Sequence, residues 1–454
     1  MATNDAPRNA RRLTMADLVI YGIVLIQPIA PVGIFGLADQ MSKGHVTTTI
    51  LIAMTAMMVT AYSYGRLAAL YPSAGSAYTY VGRAFNREAG FLVGWAMFLD
   101  YLIIPIISII FAALTLERLF PAIPFRVWGV LLVAASTFLN LAGVSSLARA
   151  NKALLAFMTV VIAAFVALSV HFLYVRSGWA GVLSVDPLYH PATFEWHSIM
   201  AATSLASLTY IGFDGVTTLA EDVENPRRTV PAATVLVCLL TGLFSAAEVY
   251  LGQRVWPDFH TFSNLETAFL DVTRTVGGAL LFQAMGWVLV IACIGTALTG
   301  QAAAARLLYG MGRDEVLPAK LFGRWDARRG QPSWNLCWIG AAALIGTWIV
   351  GYERAAELLN FGAFLAFMGV NLAAVRTFWR AEHRNIVRDV LLPIFGFLFC
   401  LAIWWNLPRP AQLAGGAWLA VGVLQLALKT RGFRRPAGRF QFDEGEVRLP
   451  DASA

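Results

Sequence analysis

The chain is short of charge. Of its 454 residues only 13% are Asp, Glu, Lys or Arg, while 58% are hydrophobic and the mean hydropathy is +0.63. A soluble domain carries about a quarter charged residues, so this composition excludes a string of soluble modules. Cysteine is scarce as well: Cys238, Cys293, Cys337 and Cys400 each lie alone in an apolar run. They form neither a disulfide framework nor a CxxC metal motif, and read as small packing residues. The histidines, His45, His171, His190, His197, His260 and His383, fall in loops or at the ends of apolar runs without ligand spacing, which argues against a metal site. Gly310-Met311-Gly312 is followed by Arg313-Asp314 and not by Lys-Ser/Thr, so a nucleotide-driven pump is disfavoured. With no nucleophile–base pair or metal-ligand set in view, neither an enzyme nor a bound cofactor is expected. The net charge of +7 sits between apolar runs, without the aromatic-interleaved basic face that would mark a nucleic-acid partner.

What remains is long apolar runs. They predict an all-α integral membrane protein with twelve transmembrane helices, at about 16–40, 47–70, 90–116, 126–144, 151–175, 198–222, 230–253, 279–305, 335–351, 355–378, 388–406 and 413–429. Residues 1–15 form an N-terminal segment, 16–429 the helical domain and 430–454 a tail. An even count puts both termini on one side, and with the termini cytoplasmic, 26 of the 34 Lys and Arg residues lie inside and 8 outside. That asymmetry follows the positive-inside rule. The first apolar run has no evident cleavage site and reads as a retained span.

Two spans are interrupted. In the first, Gln27-Pro28-Ile29-Ala30-Pro31-Val32-Gly33 sets two prolines near the centre, each removing a donor and clashing with the preceding turn. Pro31 suits the start of a new segment, with Val32, Gly33 and Ile34 offering N–H groups. In the sixth, Ile211-Gly212-Phe213-Asp214-Gly215 sets an acid between glycines, and an ionisable group inside a span is a functional-site hypothesis. Interrupted helices at corresponding positions of two halves point to an inverted-repeat transporter with its site at the midplane. The halves are about 16–175 and 198–378, with the last two helices appended.

At these residues the chain resembles the amino acid–polyamine–organocation (APC) superfamily. Three segments carry the resemblance: Tyr64-Gly65-Arg66 through Tyr71-Pro72-Ser73-Ala74-Gly75-Ser76 to Tyr80, Gly212-Phe213-Asp214 through Glu221-Asp222-Val223-Glu224-Asn225-Pro226, and Arg306-Leu307-Leu308-Tyr309 with Gly312-Arg313-Asp314. Gly90-Phe91-Leu92-Val93-Gly94-Trp95 leading to Leu99-Asp100-Tyr101-Leu102 is most similar to the bacterial putrescine-importer branch. The resemblance implies a five-plus-five inverted repeat of the LeuT type, alternating access, and a substrate amine held by the broken ends of helices one and six. Many members have Gly-Ser-Gly in helix one, whose amides hold a carboxylate. Here that place reads Pro28 to Gly33, which serves a carboxylate less well. The lysine that many members carry inside helix five is also absent, because Lys152 lies at its entrance.

The candidate substrate-binding residues are Gln27, Pro28, Ala30, Val32, Gly33, Asp100, Tyr210, Ile211, Phe213, Asp214, Trp287 and Phe361. Asp100 lies roughly 15 Å into a core about 30 Å thick, and its helical neighbours Ala96, Met97, Ile103 and Ile104 offer no cation. Asp214 reads equally as a helix cap, accepting from Val216 or Thr217 N–H, and as a charge facing an ammonium. Two midplane acids without an intramembrane lysine suit a substrate with two amines, since each buried carboxylate needs a cation or a proton. Tyr210, Phe213, Trp287 and Phe361 are candidates for an aromatic wall around the ammonium, or for ordinary packing. Thr296 and Thr299 either bond a substrate or satisfy their own helix carbonyls. Coupling or gating candidates are Asp100, Asp214, Glu221, Thr296 and Thr299, while Glu248 reads as a vestibule or ion-pair residue near Arg254. The reading is a secondary importer of a putrescine-like diamine in the bacterial inner membrane, driven by protons, with an amino acid permease or exchanger as the alternative. The partners are a small amine or amino acid, protons and lipid; the oligomeric state is open.

Overall fold

The computed structural model describes residues 13–26, 29–71, 76–143, 148–223, 225–313, 317–379 and 385–432. Gln27, Pro28 and Glu224 lie outside the described residues, as do the side chains of Lys152, Glu221 and Asp222. The chain is helical almost throughout, and among the described residues the only strand-like pairings are two isolated bridges, Leu13 with Val223 and Asp326 with Gln331.

The helices are α1 (Met15–Ile26), α2 (Phe35–Met41), α3 (Val46–Leu70), α4 (Ser76–Ala84), α5 (Arg87–Leu119), α6 (Phe125–Leu141), α7 (Ala148–Val182) and α8 (Trp196–Ala206). They continue as α9 (Pro226–Val255), α10 (Ala268–Arg313), α11 (Ala319–Phe322), α12 (Ser333–Ile349), α13 (Tyr352–Trp379), α14 (Leu392–Trp405) and α15 (Arg409–Lys429). Among the described residues, nine helices are long and apolar enough to cross a membrane, and α6 and α12 are apolar but shorter. Two predicted limits coincide with bends. The span expected to end at 175 meets non-helical Ser177 and Gly178 in α7, and the span expected to start at 279 follows Gly278, where φ is 63° in α10.

Both expected interruptions are present. A short 3-10 turn, Ala30–Gly33, separates α1 from α2. After α8 the chain runs through a 3-10 turn at Ser207–Tyr210, turns at Gly212 and resumes as a 3-10 helix over Phe213–Asp222. Gly212 takes φ 115°, a left-handed conformation that costs a residue with a Cβ far more.

In lipid the helices gain little from apolar contact alone, so close backbone approach matters. A Cβ at Gly65 of α3 would sit 2.4 Å from the Pro231 Cα of α9, and one at Gly362 of α13 would sit 2.5 Å from the Ala96 carbonyl oxygen of α5. Polar side chains add fixed points. Gln253 Nε2 on α9 donates to Asp39 Oδ1 at 2.8 Å and to the Gly44 carbonyl at 2.7 Å, while its Oε1 accepts from Thr47 Oγ1 at 2.6 Å. These bonds tie the end of α2 to α9. The burial gradient places α5 at the centre: 78% of its most apolar window is buried, against 22% for α15.

Candidate functional site

The two broken helices meet α5 and α10 around a cavity of about 590 Å³. Ala30, Asp100, Ile211, Asp214, Thr296 and Thr299, all singled out from the sequence, line it together. Tyr21 of α1, Met158 of α7 and Ala303 of α10 extend the lining toward the end of the bundle where α1 begins. Outside the lining, on α2 and one turn beyond Ile107 of α5, aromatic rings pack together. Phe35 packs edge-on against Phe262 and Phe269 at 5.7 and 5.3 Å, and the Phe111 and Tyr352 rings lie 5.3 Å apart.

Asp100 is 9% exposed, and its Oδ1 has no hydrogen-bond partner among the described residues. An unpaired buried carboxylate oxygen is costly unless a ligand or proton meets it. Asp214 is placed differently from the cap reading. Gly212 is the N-cap of the second segment of helix six, and Asp214 stands in its first turn. Its carboxylate is held by backbone hydrogen bonds at Gly212, Asp214 and Gly215, while its carbonyl accepts from Thr217 Oγ1 at 2.6 Å. Asp214 therefore stabilises the break and still borders the cavity. The two acids are close enough to interact electrostatically.

The aliphatic hydroxyl groups of the lining have already spent their protons. Thr296 Oγ1 donates to the Ala292 carbonyl at 3.1 Å, Thr299 Oγ1 to Gly295 at 3.0 Å, and Ser108 Oγ to Ile104 at 2.8 Å. Each bond satisfies the helix's own backbone, and each hydroxyl presents lone pairs outward. The amides of the first break are similarly occupied: Val32 N donates to the Ile29 carbonyl at 3.0 Å and Ile34 N to Pro31 at 3.3 Å. Pro31 has no N–H to offer. Val32 and Gly33 are buried and are not part of the cavity wall.

The four aromatic candidates stand outside the lining. Tyr210 is fully buried and donates its hydroxyl proton to the Ile50 carbonyl at 2.8 Å. Phe213 packs against Tyr64 and Phe367, Phe361 against Trp404, and Trp287 against Phe120. The aromatic residues that do line the cavity are Tyr21 and Tyr101. Adjacency to Asp100 was the available signal for Tyr101, and Ser108 lies two turns further on the same face. Tyr21 had no local signal. Glu248 forms no ion pair with Arg254, which instead binds the Gly181 and Ala180 carbonyls and Asp186. Glu248 is 1% exposed, outside the lining, with Oε2 unpartnered among the described residues. Asn360 Nδ2 donates to the Ser204 carbonyl at 2.5 Å and so braces α8 against α13. Among the described residues no cluster of three or more His, Cys, Asp or Glu side chains is arranged to hold a metal.

Comparison with known proteins adds four findings. The family model described as amino acid permease matches residues 17–419. The low-affinity putrescine importer PlaP of Escherichia coli strain K12 is 33% identical over 459 residues, covering 97% of this chain and 99% of that protein. The branched-chain amino acid permease BcaP of Lactococcus lactis is 27% identical over 451 residues, covering 90% and 92%. A crystal structure of a manganese transporter mutant from Eremococcus coleocola matches with a TM-score of 0.53 at 13% identity, over 96% of this chain and 98% of that one. The last likeness concerns the fold alone.

Proposed function

The chain belongs to the amino acid permease family of the APC superfamily, and from that premise we propose that it imports a putrescine-like diamine by alternating access. It is a multi-pass membrane transporter and not an enzyme. The observation that carries the diamine reading is the polarity of the cavity. Its lining offers two carboxylates and three aliphatic hydroxyls whose protons are engaged elsewhere, together with the phenols of Tyr21 and Tyr101, while amides of the first break are used within their own turn. An ammonium brings only donors, so it suits a wall of acceptors. An α-carboxylate brings acceptors and a negative charge to a wall that already holds two acids, where Tyr21 and Tyr101 are the side chains with a hydroxyl proton left to give. The likeness to a putrescine importer supports the same choice.

The finer scheme extends the sequence reading. Twelve crossings form a five-plus-five repeat, α1–α7 against α8–α13, with α14 and α15 appended and both termini cytoplasmic in a bacterial inner membrane. In that orientation the cavity faces the cytoplasm. Protons drive import, with Asp100 and Asp214 accepting a proton when the substrate leaves, because a buried carboxylate stays neutralised by one or the other. A second reading, amino acid permease, rests on the likeness to the branched-chain permease.

Uptake by the purified full-length chain in proteoliposomes under an imposed pH gradient separates the two. Unlabelled putrescine should displace labelled putrescine while leucine and lysine leave it unchanged. Displacement by amino acids with no effect of putrescine would reverse the assignment.

A further inference from the structure

A proline lies inside the helix that carries the unpaired acid. Pro105 sits within α5, one turn beyond Tyr101, and a proline supplies no N–H to the carbonyl four residues earlier. The Tyr101 carbonyl therefore lacks its regular helical donor, directly beside Asp100 in the chain. Ser108 does not replace that donor, because its hydroxyl is given to Ile104.

The surroundings leave this turn open to a ligand. Asp100, Tyr101 and Ile104 all line the cavity. Across from them, Gly300 of α10 lets the two helices close up: a Cβ there would sit 2.5 Å from Ile104 Cγ2 and 3.2 Å from Pro105 Cδ. Gly295, also in the lining, is the reverse case, since a Cβ there would meet nothing within 4 Å. The turn of α5 that carries Asp100, Tyr101 and Ile104, seated on α10 at Gly300, is a floor of this cavity.

We propose that Pro105 makes this floor an ammonium-binding point, with the Asp100 carboxylate supplying the charge and the Tyr101 carbonyl oxygen a second acceptor. The ligand is the primary ammonium end of an aliphatic diamine, and the assignment rests on the transport reading above. A primary ammonium has three N–H donors and satisfies both acceptors at once. A tertiary ammonium has one and satisfies a single acceptor.

The test is Pro105→Ala in proteoliposomes, which returns an N–H to the Tyr101 carbonyl. Putrescine and N,N,N′,N′-tetramethylputrescine are compared as competitors of labelled putrescine. The KM for putrescine should rise about tenfold, the effect of one hydrogen bond to a charged group, with maximal uptake retained. The inhibition constant of the tetramethyl analogue should move less than about twofold, since it gains little from a second acceptor. Pro105→Val, which also restores the N–H, should do the same and covers the case in which the alanine variant fails to fold. A common shift of both amines, no shift of either, or a fall in maximal uptake at constant KM would each overturn the assignment and leave Pro105 as a bend. Wild-type protein that takes up no amine would instead refute the transport reading, and the binding point with it.

Discussion

Asp100 and Asp214 are both acids beside the cavity, but their surroundings give them different work. Asp214 is held by the backbone around Gly212, so its replacement disturbs the break itself. Asp100 has an oxygen without a partner and no basic residue among its helical neighbours. Replacing it with Asn keeps size and hydrogen-bonding capacity while removing the charge. Asp100→Asn should therefore abolish diamine uptake at an unchanged level of folded protein in the membrane, measured by uptake alongside quantitative detection of the transporter. Unchanged uptake would remove Asp100 from the site. Side-chain identity was legible here in advance, whereas orientation was not. Tyr210 and Phe213 closely precede Asp214 in sequence yet point into packing against Ile50, Tyr64 and Phe367, because the tight turns of the break rotate successive side chains to different walls.

At the scale of elements, the architecture depends on where backbones can touch. α3 and α9 meet at Gly65, where an added Cβ would lie 2.4 Å from a backbone atom of Pro231. Backbone cannot yield as the tip of a side chain can, so Gly65→Ala should destabilise the protein by about 1–3 kcal/mol. A lower melting temperature of the detergent-purified variant, with the cavity chemistry untouched, is the expected result. An unchanged melting temperature would mean that α3 and α9 slide apart without cost. Both helix interruptions were legible from Pro28, Pro31 and the glycines around Asp214, since proline and glycine act locally on the backbone. The bends at Gly178 and Gly278 were legible only as the places where apolar runs began or ended. Which carbonyl each lining hydroxyl bonds follows from helix geometry; that three such hydroxyls share one cavity does not.

Across the whole molecule, loops on the side away from the start of α1 are joined by an exposed pair, Lys43 with Glu195. The hydrogen bond from Lys43 holds the Glu195 carboxyl below its ordinary value of 4.5, with a smaller contribution from Ser198. A depressed carboxyl stabilises the fold fully above its unfolded pKa, and this contribution is lost as pH falls through the folded value. The difference in melting temperature between wild type and Glu195→Gln should therefore be small at neutral pH, shrink below about pH 4.5, and diminish in high salt. A difference that grows on acidification would have the wrong sign for this pair.

The sequence by itself determined that the chain is a helical membrane protein with two interrupted helices and an acid within each of two apolar runs, because hydropathy, proline and glycine act through nearest neighbours along the chain. Only the tertiary structure decided which faces meet. It turned Tyr21, Tyr101 and Ser108 toward the acids and Phe361 and Trp287 away from them, and it set Gly300 against Pro105. The rotation of a helix about its own axis is set by the partners it packs against, and an apolar helix in lipid carries little local pattern from which to read it.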